Sequence, residues 1–207
     1  MTDELYKGYV IKIEQDEIID ESPREWSNLG VMVCWHRRCS MGDCTVGEAY
    51  GKPIKDKPFF PTVQELVNYI KETRAIFLRV YLYEHSGQTV NTRGFSDPWD
   101  SGQVGFIYVT KEKVREEFKC KRISKKLKAK VKEILEGEVK IYDQYLRGDI
   151  YGYDISLNGE DITDGSCCGF YGYDYCLQEA EDAVDWDLRN RTKEAFEYLM
   201  AMPVEAE

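Results

Sequence analysis

The 207-residue chain reads as an α+β protein: a mostly antiparallel sheet with one short, one long and one C-terminal helix packed on it. Three observations predict this. Segments that alternate apolar and polar residues are joined by turn formers. Segments of helical spacing interrupt them without regular strand–helix–strand alternation. The composition, 43% hydrophobic and 13% aromatic, supplies a packed core. One domain spanning residues 1–207 is expected, or one domain carrying a sub-lobe at 148–207.

Tyr9, Ile11 and Ile13 alternate with Val10, Lys12 and Glu14, which predicts an edge strand at the start. Residues 16–28 are acidic and contain Pro23, so they form a loop, with Trp26 as its aromatic anchor. Residues 30–36 read as a strand with Val31, Val33 and Trp35 on one face and Met32, Cys34 and His36 on the other. Six turn formers between 37 and 61 predict an ordered surface loop. Thr62 and Glu65 match a capping box opening a helix that buries Leu66, Val67 and Ile70 and ends near Thr73.

Residues 76–85 follow as a strand with Ile76, Leu78, Val80 and Leu82 inward and Phe77, Arg79, Tyr81, Tyr83 and His85 opposite, an amphipathic face able to bind something. Gly87 and Gly94 bracket a short hairpin, residues 95–102 form a turn around Trp99, and 104–109 is a strand. Thr110 caps a short helix through Phe118. Residues 124–146 keep Leu127, Val131, Ile134 and Leu135 at helical spacing, giving one long helix or two contiguous ones across Gly137. Residues 149–157 and 166–173 form a hairpin over Asn158-Gly159. The final helix covers about 177–200, with Leu177, Ala180, Val184, Leu188, Ala195, Phe196 and Leu199 as its buried stripe.

Charge is unevenly spread along the chain, whose net value is −10. Residues 1–110 carry −4, residues 111–147 carry +6 and residues 148–207 carry −12. An acidic protein is repelled by phosphate backbones, so general nucleic-acid binding is not expected. The basic block is either a solvated helix face docked against the acidic block or a local phosphate contact. No apolar run approaches the roughly 18 residues that cross a bilayer, and the acidic start lacks the basic region of a secretory signal; a cytoplasmic protein is expected.

Seven cysteines without a secretion signal argue for thiols rather than disulfides. Cys34, His36, Cys39 and Cys44 are zinc-type ligands, but their spacing fits no standard knuckle, and buried thiols are the plainer expectation. No metal and no cofactor is assigned. There is no phosphate-binding glycine loop, no dinucleotide fingerprint and no H-E-x-x-H, and no residue is assigned a catalytic role. Two sets of residues remain as binding candidates. Trp35, His36, Arg37 and Arg38, with Tyr83, His85 and Trp99, offer guanidinium, imidazole and stacking groups for an anionic ligand, unless the arginines pair with local acids such as Asp43 and Glu48. Tyr151, Tyr153, Tyr171, Tyr173, Asp174 and Tyr175 make an aromatic hairpin, either a recognition surface or simple cross-strand pairing.

The strings 22–30 (SPREWSNLG), 81–87 (YLYEHSG), 98–105 (PWDSGQVG) and 142–149 (YDQYLRGD) make the chain resemble a family of small uncharacterised bacteriophage and prophage proteins. The resemblance spans most of the chain and carries no activity with it. It implies a phage accessory protein made inside a bacterium. The leading expectation is a non-enzymatic binder that occupies a host defence or regulatory protein, one with a basic nucleic-acid-binding surface, through its acidic, tyrosine-rich C-terminal third. The alternatives are sequestration or hydrolysis of a nucleotide-like small molecule at the Arg/His/Trp set, and self-association through the aromatic hairpin.

Overall fold

A computed structural model of the chain describes residues 2–16, 21–36, 38, 40–47 and 59–201. In chain order its elements are β1 (Thr2–Tyr6), β2 (Tyr9–Gln15), a 3-10 turn (Pro23–Glu25), β3 (Val31–Cys34), β4 (Cys44–Thr45), α1 (Val63–Glu72), β5 (Ile76–Glu84), β6 (Gln88–Asn91) and β7 (Ser101–Val109). There follow α2 (Lys111–Glu117), α3 (Lys125–Arg147), β8 (Ile150–Leu157), β9 (Glu160–Tyr171) and α4 (Tyr173–Ala201). The fold is α+β with antiparallel-rich sheets. It has two sheets rather than one, and two short helices, α1 and α2, precede the long one. The residues divide into two units: residues 1–19 with 148–207, and residues 20–147.

The first unit is a four-stranded antiparallel sheet in the order β1-β2-β8-β9. Lys7-Gly8 and Asn158-Gly159 close its two hairpins, with φ of 48° and 88° at the first and 55° and 83° at the second. Two successive positive φ values make a turn whose twist matches that of the strands it joins. The strand at Tyr9 is therefore not an edge: β1 pairs on one side of β2 and β8 on the other. Its alternation was legible because Tyr9, Ile11 and Ile13 all face α4, where they meet Cys176, Ala180 and Val184. Tyr9 Oη donates to the buried Asp187 carboxylate at 2.8 Å, which also accepts from Arg191 Nε at 2.6 Å.

The second unit is a five-stranded sheet, β4-β3-β7-β5-β6, antiparallel except where β4 runs parallel to β3. One face buries Met32, Val80 and Ile107 beneath Val131, Leu135 and Val139 of α3. Each fully buried aliphatic side chain contributes about 1.5–3 kcal/mol. The other face carries Val33, Phe106 and Tyr108 against Leu66 and Ile70 of α1. α3 runs unbroken through Gly137. The caps form at Thr62, Thr110 and Ser124, whose hydroxyls accept from the backbone N–H of Glu65, Lys113 and Leu127.

The anchor of the loop before β3 is Arg24, not Trp26, which is 46% exposed. The buried Arg24 guanidinium donates to both Asp43 carboxylate oxygens, at 3.0 and 2.7 Å, to Glu138 Oε2 at 3.1 Å and to the Gly30 carbonyl at 2.8 Å. Glu138 in turn accepts from the Leu29 N–H at 2.8 Å, and Asp43 from the Met32 N–H at 2.6 Å. Burial opposes the Arg24 charge, and the Asp43 and Glu138 carboxylates more than offset it, so its pKa lies above the ordinary arginine value. One ion cluster thus fixes the loop, β3 and α3 to each other.

Candidate functional site

The β3 strand delivers Trp35 and His36 to opposite faces of the second unit's sheet. Trp35 joins the α1 face, its ring 5.7 Å from Phe106, which meets Phe77 edge-on at the same distance. His36 lies on the other face with Nε2 3.6 Å from Glu84 Oε2, and Arg38 donates to the same oxygen at 2.8 Å. Arg38 is thus paired, as the plainer reading of the arginines holds, but with Glu84; Asp43 is occupied by Arg24. Arg37 and Glu48 lie outside the described residues.

His85 follows Glu84 and turns to the opposite side, where Nδ1 lies 3.0 Å from Asp100 Oδ2 and the ring stacks on Tyr83 at 6.3 Å. Tyr83 also packs on Phe95 at 5.6 Å. Trp99 stands at the tip of the 95–100 turn, 92% exposed, with its N–H held by Asp97 Oδ1. Trp35, His36, Arg38, Tyr83, His85 and Trp99 are therefore divided among two sheet faces and a loop tip. Four clefts of about 290–520 Å³ among the described residues are lined by other residues. The acid partners Glu84 and Asp100 are the members that sequence reasoning missed, since Glu84 lies 46 residues from Arg38 and Asp100 15 residues from His85.

The possible zinc set is not assembled. Val33 pairs with Cys44 and Cys34 with Thr45, so Cys34 faces α3 while Cys44 faces α1. Two thiols on opposite faces of one sheet cannot share an ion. Cys39 lies outside the described residues, and among those described no three His, Cys, Asp or Glu groups are placed to hold a metal ion.

In the first unit, the aromatic hairpin supplies packing to α4. Tyr153 is buried with its ring 5.4 Å from Phe170, and burial raises its phenol pKa. Tyr151 meets Tyr173 edge-on at 5.6 Å and donates to Asp149 at 3.0 Å. Tyr171, half-buried, closes β9. Asp174 and Tyr175 remain exposed in the first turn of α4, and a hydrogen bond to Glu179 holds the Tyr175 phenol above its usual range.

α4 itself departs from the expected stripe. Cys176, Ala180, Val184 and Asp187 are buried, but Leu188, Phe196 and Leu199 are 39%, 61% and 65% exposed. The helix is tied down at Asp185 by Lys7, 2.6 Å away, and at Asp187 by Tyr9; the residues from 191 to 201 are all exposed. The apolar periodicity continues past the point where the sheet beneath it ends.

Among the described residues, no helix is long and apolar enough to cross a membrane. Compared with protein-family models, curated protein sequences and solved structures, the chain matches none of them.

Proposed function

We propose that the chain is a non-enzymatic binding protein that engages a partner protein through the outer turns of α4. The supporting observation is the uncovered apolar stripe. Of thirteen large apolar side chains left exposed among the described residues, six, Trp186, Leu188, Phe196, Tyr198, Leu199 and Met200, fall in the last sixteen residues of the helix. Leu188, Ala195, Phe196 and Leu199 share one face at helical spacing, the form in which a helix lies in an apolar groove. A contiguous apolar patch on a helix without tertiary support is unfavourable in water until something covers it.

The chemistry of the partner follows from charge. Residues 1–19 and 148–207 together carry −15. The complementary surface is an apolar groove with a basic rim, and association with it weakens as salt rises. In the setting that the phage resemblance implies, the partner is a host defence or regulatory protein whose basic surface ordinarily meets nucleic acid.

The test compares the chain with a Phe196→Asp/Leu199→Asp variant in affinity capture from bacterial lysate at low and high salt, with light scattering on both. The expected result is a basic protein held at low salt, released at high salt and lost with the double variant. Capture of the same proteins by the variant would overturn the reading. A dimer that the variant dissociates would replace it with self-association.

A further inference from the structure

The largest of the four clefts, about 520 Å³, lies in the second unit and contains no acid. Lys71 and Arg74 enter it from the end of α1, Lys111 and Arg115 from α2, Lys121 and Arg122 from the connection between α2 and α3, and Lys128 from α3. Its floor is apolar, with Ile70, Ile76 and Ile123, and Phe77 stands at its wall, 41% exposed. Of these seven cations, only Arg115 has an ion-pair partner among the described residues, the exposed Glu112 at 3.4 Å. Seven cations line one concavity and six of them have no ion-pair partner among the described residues, so its potential favours an anion.

The backbone adds an independent observation. Arg74 sits at φ 48°, at the end of α1, where the Arg74 N–H donates to the Lys71 carbonyl and the Ala75 N–H to the Ile70 carbonyl. Glycine is the usual residue at such a helix stop, because a side chain there is strained. Arg74 occupies that position here and lines the cleft.

We propose that this cleft binds a nucleotide carrying two or more phosphates, with the phosphates among the cations and the base on Phe77. The volume lies in the usual range for small-ligand sites. Multiple phosphates fit the charge, because one phosphate would leave most of it uncompensated. An exposed phenyl ring beside the cations is the element that distinguishes a nucleotide from a bare polyphosphate. A small ligand fits better than a polynucleotide: residues 20–147 carry +5, so outside the seven lining cations the unit is net −2.

The proposal is independent of the α4 surface, and its test uses different variants. Calorimetric titration of the full chain at about 50 mM salt compares ATP, ADP, AMP, inorganic triphosphate and a single-stranded oligothymidine. Affinity is expected to rise from AMP to ADP to ATP. Phe77→Ala is expected to weaken ATP about tenfold and leave triphosphate unchanged. Lys121→Glu/Arg122→Glu, at two exposed loop positions, should weaken every polyphosphate at least about tenfold at an unaltered thermal midpoint. No binding of ATP at about 1 mM would overturn the proposal. Equal binding of ATP and triphosphate insensitive to Phe77→Ala would reduce the site to an anion hole and overturn its nucleotide character. Oligothymidine bound more tightly than ATP would assign the cleft to single-stranded nucleic acid and overturn the small-ligand reading.

Discussion

A methyl group added at Gly137 would meet nothing within 4 Å, whereas one added at Gly105 would sit 2.5 Å from the Val33 carbonyl oxygen and 2.8 Å from Cys34 Sγ. The same substitution therefore has opposite signs at the two positions. Gly137→Ala in α3 should add about 1 kcal/mol by removing backbone freedom from the unfolded chain, raising the thermal midpoint by about 2–4 °C. Gly105→Ala should cost about 1–3 kcal/mol, because β3 must shift away from β7 where Cys34 pairs with Gly105. The cysteines form a second residue-scale series. Asp16 beside Cys168 disfavours its thiolate, with some burial and Cys167 adding to the effect, so its pKa is raised. Alkylation followed by peptide mass analysis should therefore modify the exposed Cys167 faster than Cys168, with the buried Cys34, Cys44 and Cys176 reacting only on unfolding. Equal rates at 167 and 168 would show that the Asp16 charge is not felt.

At the scale of elements, the outer turns of α4 have helical hydrogen bonds and local side-chain pairs but stand exposed, with no sheet to pack on, and isolated helical turns are marginal in water. Amide hydrogen exchange should be slow from Cys176 to Val184 and fast from about 192 to 201, with the fast segment becoming protected when a partner covers it. Uniform protection along α4 in the isolated chain would contradict this. The helix shows where sequence reading succeeds and stops. Its periodicity through Leu199 was legible, but periodicity marks an apolar face and not the length of the sheet beneath it. The capping hydroxyls and the Asn158-Gly159 turn were legible because each acts on residues within three or four positions of itself. β1 left no such trace, since the sequence Thr2–Tyr6 is short and mostly polar and acquires its role only by pairing with β2. Arg24 was hidden in an acidic loop for a related reason: its partners Asp43 and Glu138 lie 19 and 114 residues away.

At the scale of the whole molecule, the charge blocks read along the chain become sharper once residues are grouped by unit, at −15 for residues 1–19 with 148–207 and +5 for residues 20–147. Sequence order obscured this because residues 1–110 straddle the division. It also hid the basic cleft, whose lining spans positions 70–128 and five separate segments. Buried weak acids set the alkaline response. Burial pushes the Cys176 thiol up to about 11, and burial with Asp187 raises the Tyr9 phenol. The unfolded chain gives up these protons first, so stability is full below the ordinary thiol value of 9.0 and falls as pH climbs through about 11. A thermal midpoint that held constant across that window would contradict the burial of both groups. The pairing of β2 with β8 has a temporal corollary. Gln15 faces Tyr151, and the Asp16 N–H donates to the Ile150 carbonyl, so everything between is an insertion into what would otherwise be a single hairpin. On a ribosome adding about 5–20 residues per second, β2 waits roughly 7–27 s for its neighbour to emerge. During that interval the inserted unit can finish folding, while the first two strands expose the apolar side that α4 covers last.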